Sequence, residues 1–561
     1  MALMATALDA LHDSVRQECL ESRPGDTPLI LFFSVCDSTK RAKILSAKGG
    51  AFDDAWEHGR AQCMVLPMAD GGAVCEGPLW LRIDVPWRVW CLTWGELKQR
   101  LASTKRNYFR YGISLDEHFE HAFLEMEVNA HAMFYPRGET PHAVLNEGNF
   151  LLHAKTRYGL EGICFDDRQP VWIFEARSWF ADGQSSYPLI GGVGADAGRR
   201  EFTSWNGAAL LDVVAGGADH LANQVGDDGR FVYGFFPCFG RRIESYNALR
   251  HASTLFSMVD AWALLRSDTL LRAIERALSY MRSALVRVYA QPDGDSIAYL
   301  VDEGGEIKLG GSAVALLALV RFAEVTGSNE DAPLMEQLGA GMLAMQNQRT
   351  GQFVHVLSAE DLSVKQAFRI VYYDGEAAFA LMRLYAHTHE LRWLNAVEKA
   401  FEHFVAAEHW RNHDHWLAYC TEELTRYLPR ESYFIFGLRN VLDHIDFVLE
   451  RETTFPTLLE LMMATRAMIE RLRALPELRY LLAMIDESKF ERALHYRAKY
   501  LLNGFFWPEW AMFFREPHKI CRSFFIRHHG FRVRIDDVEH YLSGLGACRT
   551  FPPSAQRLHP R

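Results

Sequence analysis

No two cysteines in this 561-residue chain stand in Cys-x-x-Cys spacing. The ten cysteines, at positions 19, 36, 63, 75, 91, 164, 238, 420, 521 and 548, are scattered. That excludes a zinc ribbon or finger and leaves buried, reduced thiols as the expectation, with no support for a catalytic cysteine. Long apolar runs are missing too. Even "AVALLALVRFAEV" is interrupted by charge and falls short of the roughly 20 residues that span a bilayer. The opening "MALMATALDALHDSVRQECLESRPGD" carries acids early and has no basic-then-apolar pattern with a small-residue cleavage site, so export by that route is not expected and the chain reads as cytoplasmic. Positive charge is in deficit, with 60 Lys and Arg against 71 Asp and Glu and a formal net charge of -11. Nonspecific binding to nucleic acid or to an anionic membrane is therefore disfavoured. There is no Gly-x-x-x-x-Gly-Lys-Ser/Thr loop, and "GGVGADAG" neither follows a clear strand nor opens a helix. No nucleotide, metal or other cofactor is expected.

What is present is the profile of a globular protein, 49% hydrophobic and 23% charged, long enough for about two to four domains. The second half repeats itself. "HLANQVGDDGRFVYGF" leads to "YNALRHASTLFSMVDAW", "RVYAQPDGDSIAYL" leads to "IKLGGSAVALLALVRFAEV", and "LAMQNQRTGQFVHVL" leads to "VYYDGEAAFALMRLYAHT". Each unit is an outer helix, an Asn/Gln-rich exit, a glycine turn at Gly229, Gly294 or Gly351, a short strand, and a second helix rich in alanine and leucine. Further amphipathic stretches bring the count to roughly twelve helices between Trp205 and Leu545. A helical hairpin cannot bury its apolar face alone, so hairpins must stack. The second helices, such as "SAVALLALV" and "EAAFALMRLY", are apolar nearly all round, which suits an inner ring walled by outer helices.

On the repeat and the helix openings "YNALRH", "YYDGE" and "RIDD", the chain resembles the six-hairpin glycosidase-like superfamily. That superfamily includes N-acylglucosamine 2-epimerase, unsaturated glucuronyl hydrolases and the C-terminal domain of glucuronyl epimerases. The resemblance covers about Trp205 to Leu545. It implies a closed (α/α)6 toroid whose loops before the inner helices line a sugar-binding funnel, and it would place these openings there.

The first 200 residues read differently. "PLILFFSVCD", "RAKILSA", "AQCMVLPMA", "PLWLRIDVPW" and "QPVWIFEARSWF" look like strands, and "FDDAWEHGRA", "TWGELKQRLAS" and "LDEHFEHAFLEMEVNAHAMF" like helices. The expected fold class is thus a multidomain α/β (or α+β) N-terminal region followed by an all-α (α/α)6 toroid. The expected domains are 1–105 (α/β), 106–200 (α+β, docking on the toroid), 201–548 (toroid) and 549–561 (disordered tail). The glycine-rich "FADGQSSYPLIGGVGADAGRR" marks the boundary.

Matching the repeats aligns Arg250 with Gly310 and Asp374, and Ala252 with Ser312 and Glu376. One scaffold position thereby offers a different group from each repeat, as a binding rim would. The candidate catalytic residues are Asp374, Glu376, Asp536, Asp537 and His251. Carboxylates can protonate a glycosidic oxygen or activate water, and an imidazole can move a proton at carbon. The candidate substrate-binding residues are Tyr246, Asn247, Arg250, Tyr372, Tyr373, Arg534, His540 and Trp507, because arginine grips anions bidentately and aromatic planes stack on sugar faces. Each has a structural reading beside it. Asp374 can cap a helix, Asp536 and Asp537 can pair with Arg532 or Arg534, and His251 can be a satisfied core histidine. The clusters "RNHDHW" and "IRHHG" are expected to be solvated. The partner is a sugar or oligosaccharide. Two functions compete: a carbohydrate-active enzyme (hydrolase, lyase or epimerase, uronates included), and a non-catalytic glycan- or partner-binding assembly protein of cytoplasmic polysaccharide metabolism.

Overall fold

A computed structural model describes residues 2–21, 29–66, 79–136, 138–203, 205, 207–292 and 294–548. It divides into two compact units: Met1–Thr203 with Gly234–Ile243 and Leu502–Val533, and Ser204–Tyr233 with Glu244–Leu501 and Arg534–Arg561. The expected disordered tail, 549–561, lies outside the described residues.

The first unit holds α1 (Ala2–Glu21), β1 (Ile30–Cys36), β2 (Lys43–Lys48), α2 (Phe52–Met64), β3 (Trp80–Thr93), α3 (Trp94–Ala102), β4 (Gly112–Ser114), β5 (Ala122–Phe123), α4 (Glu125–Ala130), α5 (Glu147–Tyr158), β6 (Pro170–Ala181) and β7 (Ser186–Pro188). The strands form one sheet in the order β2-β1-β3-β6-β4-β5, with β7 also on β6. Every described pairing among them is antiparallel, so this unit is α+β. Alternate residues Leu81, Ile83 and Val85 of β3 join Leu8, Leu11 and Trp56 of α1 and α2 in one apolar cluster, as a period of two requires.

Several expectations are corrected here. The long β3–β6 pairing joins residues on both sides of position 105, so 1–105 and 106–200 are not separate bodies. The start of "AQCMVLPMA" finishes α2 instead of forming a strand. Of "LDEHFEHAFLEMEVNAHAMF" only Glu125–Ala130 is helical, because the Asp116 carboxylate accepts the backbone N–H groups of His118, Glu120 and His121 and draws them away from a helix ladder. Trp507 is no exposed platform. It belongs to the first unit, is 7% exposed, donates its Nε1–H to the Leu502 carbonyl at 3.1 Å and packs edge-on against Phe505. Nine cysteines are described, and Cys91 and Cys164 are exposed where burial was expected.

In the second unit outer and inner helices alternate. They are α6 (Gly207–Gln224) and α7 (Ala248–Leu265), α8 (Asp268–Tyr280) and α9 (Leu309–Thr326), and α10 (Ala332–Ala344) and α11 (Tyr372–Thr388). Next come α12 (Leu391–Ala406) and α13 (His415–Tyr427), then α14 (Glu431–Leu442) and, past the short α15 (Ile445–Glu450), α16 (Thr457–Ala474). The last pair is α17 (Glu487–Leu501) and, beyond α18 (Pro508–Ala511) and α19 (Pro517–Ile520) of the first unit, α20 (Ile535–Ala547). The inner helices pack in the order α7-α9-α11-α13-α16-α20, and α20 packs back on α7. The ring is closed. The other helices line its outside: α8 on α7, α10 on α9 and α11, α12 on α11, α14 on α13 and α16, α17 on α16 and α20, and α6 on α20 and α7. This is the expected (α/α)6 toroid.

Alternation makes the six inner helices parallel, with all their N-termini at one end. Helix α9 is long and apolar enough to cross a membrane, but its residues from Leu309 to Val320 are buried as ring wall. Between α8 and α9, β8 (Val286–Ala290) pairs with β9 (Ser296–Leu300). In the same connection β10 (Glu306–Lys308) pairs with β11 (Val356–Ser358) of the next one, linking consecutive hairpins. The turn glycines Gly229, Gly294 and Gly351 share left-handed φ values of 84°, 93° and 76°, which favour glycine.

Candidate active site

At the N-terminal end of the ring, four inner helices bring titratable side chains together. Asp414 caps α13 by accepting the Trp416 and Leu417 N–H groups at 2.9 and 3.4 Å, which fixes His415 at the first helical position. One helix on, α16 carries Glu460 in an otherwise apolar first turn, 2% exposed. Next, α20 carries Glu539 and His540. His540 Nδ1–H donates to Glu460 Oε2 at 2.9 Å, and its Nε2 stands 3.6 Å from Glu539 Oε1. The other Glu460 oxygen accepts the Tyr419 hydroxyl at 3.2 Å. The His415 and His540 rings meet edge to face, centroids 5.4 Å apart.

Their protonation states differ for physical reasons. Burial works against a charge on His540, yet the Glu460 carboxylate, with Glu539 and Asp536, pushes it up to about 10. Burial, helped by the neighbouring His540, holds His415 well below the usual imidazole range. One ring is a cation and the other neutral near pH 7. Burial also pushes Glu539 up to about 8, against the pull of His540. It holds Glu376 of α11 well above the carboxylate range, with Asp414 and Glu539 adding to the effect. Both carboxyls are therefore protonated near neutrality.

Glycine makes room for this crowding. A Cβ on Gly310 of α9 would lie 1.7 Å from Glu376 Oε2, so only a bare backbone lets α9 and the acid share the space. Three buried polar atoms of the cluster have no hydrogen-bond partner: Glu376 Oε2, Glu539 Oε2 and His415 Nε2. Buried polar atoms are rarely left so, and a hydroxyl-rich ligand would satisfy all three. His415, Glu460 and His540 also offer donor atoms within 4.8 Å of one another. With its Nδ1 held by Glu460, His540 would have to offer Nε2 to such an ion.

The sequence candidates fall into three groups. Glu376 and His540 lie in the cluster, and Tyr372 packs edge-on against His415. Tyr373 borders it from α11, pushed up to about 12 by burial and Glu376. A second group forms an ion-pair network where the last hairpin meets the first. Arg250 Nε pairs with Asp536 at 2.9 Å, Arg534 grips the same carboxylate and stands 3.6 Å from Asp537, and Arg250 also donates to the Tyr233 hydroxyl at 2.5 Å. Asp536 is thus an anchor for two arginines, and its carboxylate is committed.

In the third group His251, Tyr246 and Asn247 are structural, which corrects the expectation. His251 is fully buried, accepts the Tyr246 hydroxyl on Nδ1 at 2.8 Å and donates Nε2–H to the Ala277 carbonyl at 3.0 Å. With both nitrogens used and its pKa pushed down to about 4 by burial, it cannot act on substrate. Tyr246 also accepts the Phe231 N–H, and Asn247 caps α7 by accepting the Arg250 N–H at 3.1 Å. Asp374 is 3% exposed and faces His355 Nε2 at 3.4 Å and His409 Nδ1 at 3.9 Å. His355 Nδ1 accepts the Arg369 N–H, so its Nε2 carries the other ring hydrogen, yet Asp374 Oδ1 has no hydrogen-bond partner and Asp374 does not share the structural role of the other three.

Tyr419, Glu460 and Glu539 carry no mark in the sequence reading, and His415 stands there only within a cluster that could ligate a metal on paper. "RNHDHW" was expected to be solvated, but His415 is 5% exposed. The lone acid in "FPTLLELMM" was the available signal for Glu460, since a carboxylate in an apolar turn needs a partner.

The architecture this defines is a closed six-hairpin toroid with a polar cluster at the N-terminal end of its inner ring. No protein-family model and no curated protein sequence matches the chain. Solved structures similar to it include a D-mannose isomerase (11% identity, 62% of this chain and 98% of that one, TM-score 0.45). Others are a cellobiose 2-epimerase from Spirochaeta thermophila (14%, 61% and 97%, TM-score 0.44) and an unsaturated glucuronyl hydrolase specific for heparin (10%, 60% and 96%, TM-score 0.40). They are of the six-hairpin kind that the sequence resembles. At these TM-scores the likeness carries no weight of its own, and the toroid stands on its own helix packing.

Proposed function

We propose that the protein is a sugar isomerase or 2-epimerase that moves a proton at the carbon beside a carbonyl. The observation that carries this reading is the facing pair His415 and His540, one neutral and one cationic. His415 Nε2, without a partner, takes the proton from carbon. The electron pair moves into the carbonyl, giving an enediolate. His540 Nε2–H donates to the oxygen or, after rotation of the substrate, a proton returns to the other face of the same carbon or to its neighbour. The protonated Glu376 and Glu539 carboxyls supply hydrogen-bond donors for the developing oxyanion, which is what a carboxylic acid kept neutral by burial can do. Glu460 holds His540 in its charged form.

The test is a panel of neutral aldoses, ketoses and reducing disaccharides incubated in D2O, read by NMR for deuterium at carbon 2 and for interconversion. Exchange that vanishes in His415→Asn and His540→Asn supports the reading. No exchange on any substrate, or full exchange in both variants, overturns it. A second reading, glycoside hydrolysis, is favoured by the two protonated acids with free oxygens, Glu376 and Glu539. Release of reducing ends from oligosaccharides, lost in Glu376→Gln, would select it.

A further inference from the structure

Beyond the histidine pair stands a residue that touches neither ring's working nitrogen. Tyr419 lies one turn after His415 on α13, and its hydroxyl is one of two donors to Glu460: the phenol to Oε1 at 3.2 Å and His540 Nδ1 to Oε2 at 2.9 Å. Its ring is stacked on Phe379 of α11, centroids 5.5 Å apart at 24°. It also lines a cavity of about 470 Å³ at the C-terminal end of the inner ring, with residues from all six inner helices. The phenol thus reaches from that basal cavity to the carboxylate that holds His540.

We infer that Tyr419 is a positioning residue that holds the Glu460 carboxylate against His540, so that His540 remains a cation able to donate. The inference rests on the acid–base reading above and deepens it. A buried carboxylate is stable as an anion only while donors surround it. With two donors, one on each oxygen, the Glu460 carboxylate is fixed against His540, whose charge it supports. With the phenol removed, Oε1 loses its partner in a dry site, the carboxylate turns, and its hold on the His540 charge weakens. The groups that face His540 or its carboxylate are Glu460 from α16, with Tyr419 of α13 on its other oxygen, His415 from α13, Glu376 from α11, and Glu539 and Asp536 on α20, the last neutralised by Arg250 of α7 and Arg534. Of these, Tyr419 is the uncharged donor to Glu460, so it can be removed without adding or deleting a charge.

The experiment is a 13C NMR titration of His540 in histidine-labelled full-length protein, comparing wild type with Tyr419→Phe and with Phe379→Leu, each checked for cooperative unfolding. His540→Asn identifies the resonance. The expected result is a wild-type midpoint far above that of an ordinary imidazole, a fall of at least one pH unit in Tyr419→Phe and a smaller fall in Phe379→Leu, which loosens the ring but keeps the hydroxyl. Where turnover is measurable, kcat falls at least tenfold in Tyr419→Phe with KM nearly unchanged, and the basic limb moves down with the midpoint. A high midpoint that does not move in Tyr419→Phe overturns this inference and leaves the histidine pair standing. An ordinary wild-type midpoint overturns the acid–base reading itself.

Discussion

The two ends of the inner ring are both polar, and they differ in how the polarity is satisfied. At the C-terminal end, Arg321 pairs with Asp260 at 2.6 Å and Glu324 at 3.1 Å, Arg383 with Glu324 and with Glu423 at 3.2 Å, and Arg426 with Glu422 at 2.8 Å. Burial opposes the charge on each arginine, but the facing carboxylates hold all three above their ordinary value. At the N-terminal end the same kind of side chain is left incomplete, with free atoms on Glu376, Glu539 and His415 and pKa values driven apart. The basal end has the described cavity, yet the chemistry gathers at the other. Paired charge holds a ring closed, whereas unpaired, perturbed groups mark where a ligand completes the structure.

This contrast can be broken by mutation. The largest effect is expected from His540→Asn and His415→Asn, which should cost about 100- to 10,000-fold in kcat; the melting temperature stays near wild type in His415→Asn and falls in His540→Asn, which strips the buried Glu460 of its cation. Comparable activity in these variants would erase the distinction between the ends. Arg383→Ala should do the reverse. It removes one of two cations from each of Glu324, which keeps Arg321 at 3.1 Å, and Glu423, which keeps Arg426 at 3.6 Å, and should destabilise by about 2 kcal/mol, visible in urea unfolding, with activity per folded molecule unchanged.

Glu539 gives a pH test whose sign is fixed. Its folded value of about 8 lies above that of an unfolded glutamate, so the folded state holds a proton that the unfolded state has released. Stability therefore falls as pH rises from the ordinary carboxylate range toward 8, by at most about 5 kcal/mol. His540, raised to about 10, extends the decline from the ordinary imidazole range to that pH. His251, lowered to about 4, acts in the opposite sense and adds stability as pH rises from about 4 through the ordinary imidazole range. Glu539→Gln should flatten the first slope, seen as a smaller change of melting temperature between pH 5 and pH 8. The smallest effect is expected from EDTA, which should leave turnover unaltered if the histidines act as acid and base. Loss of activity restored by a divalent ion would instead assign His415, Glu460 and His540 to a metal.

The toroid was legible because its signal is local and repeated. Apolar helices such as "SAVALLALV" can only be ring wall, and a turn glycine such as Gly229, where a Cβ would stand 2.1 Å from the Arg276 carbonyl oxygen, keeps its place in each repeat. Glu376 and His540 were also within reach, as polar groups about one turn into apolar helices. His251 misled because a histidine at a helix opening reads the same whether it faces the ring interior or, as here, an outer-helix carbonyl. His415 was hidden in a run of polar residues whose burial depends on Asp414 capping α13 and on α20 closing over it.

The sequence by itself determined the hairpin repeat, the closed ring and the end at which the inner helices begin, since these follow from periodicity and from the need of each apolar face to be covered. Only the tertiary structure decided which polar side chains meet. Glu460, His415 and His540 lie on separate helices, and their protonation depends on burial and on the distance to a partner, neither of which any stretch of sequence encodes alone. The ring turns three unremarkable residues into an ion pair facing a neutral base.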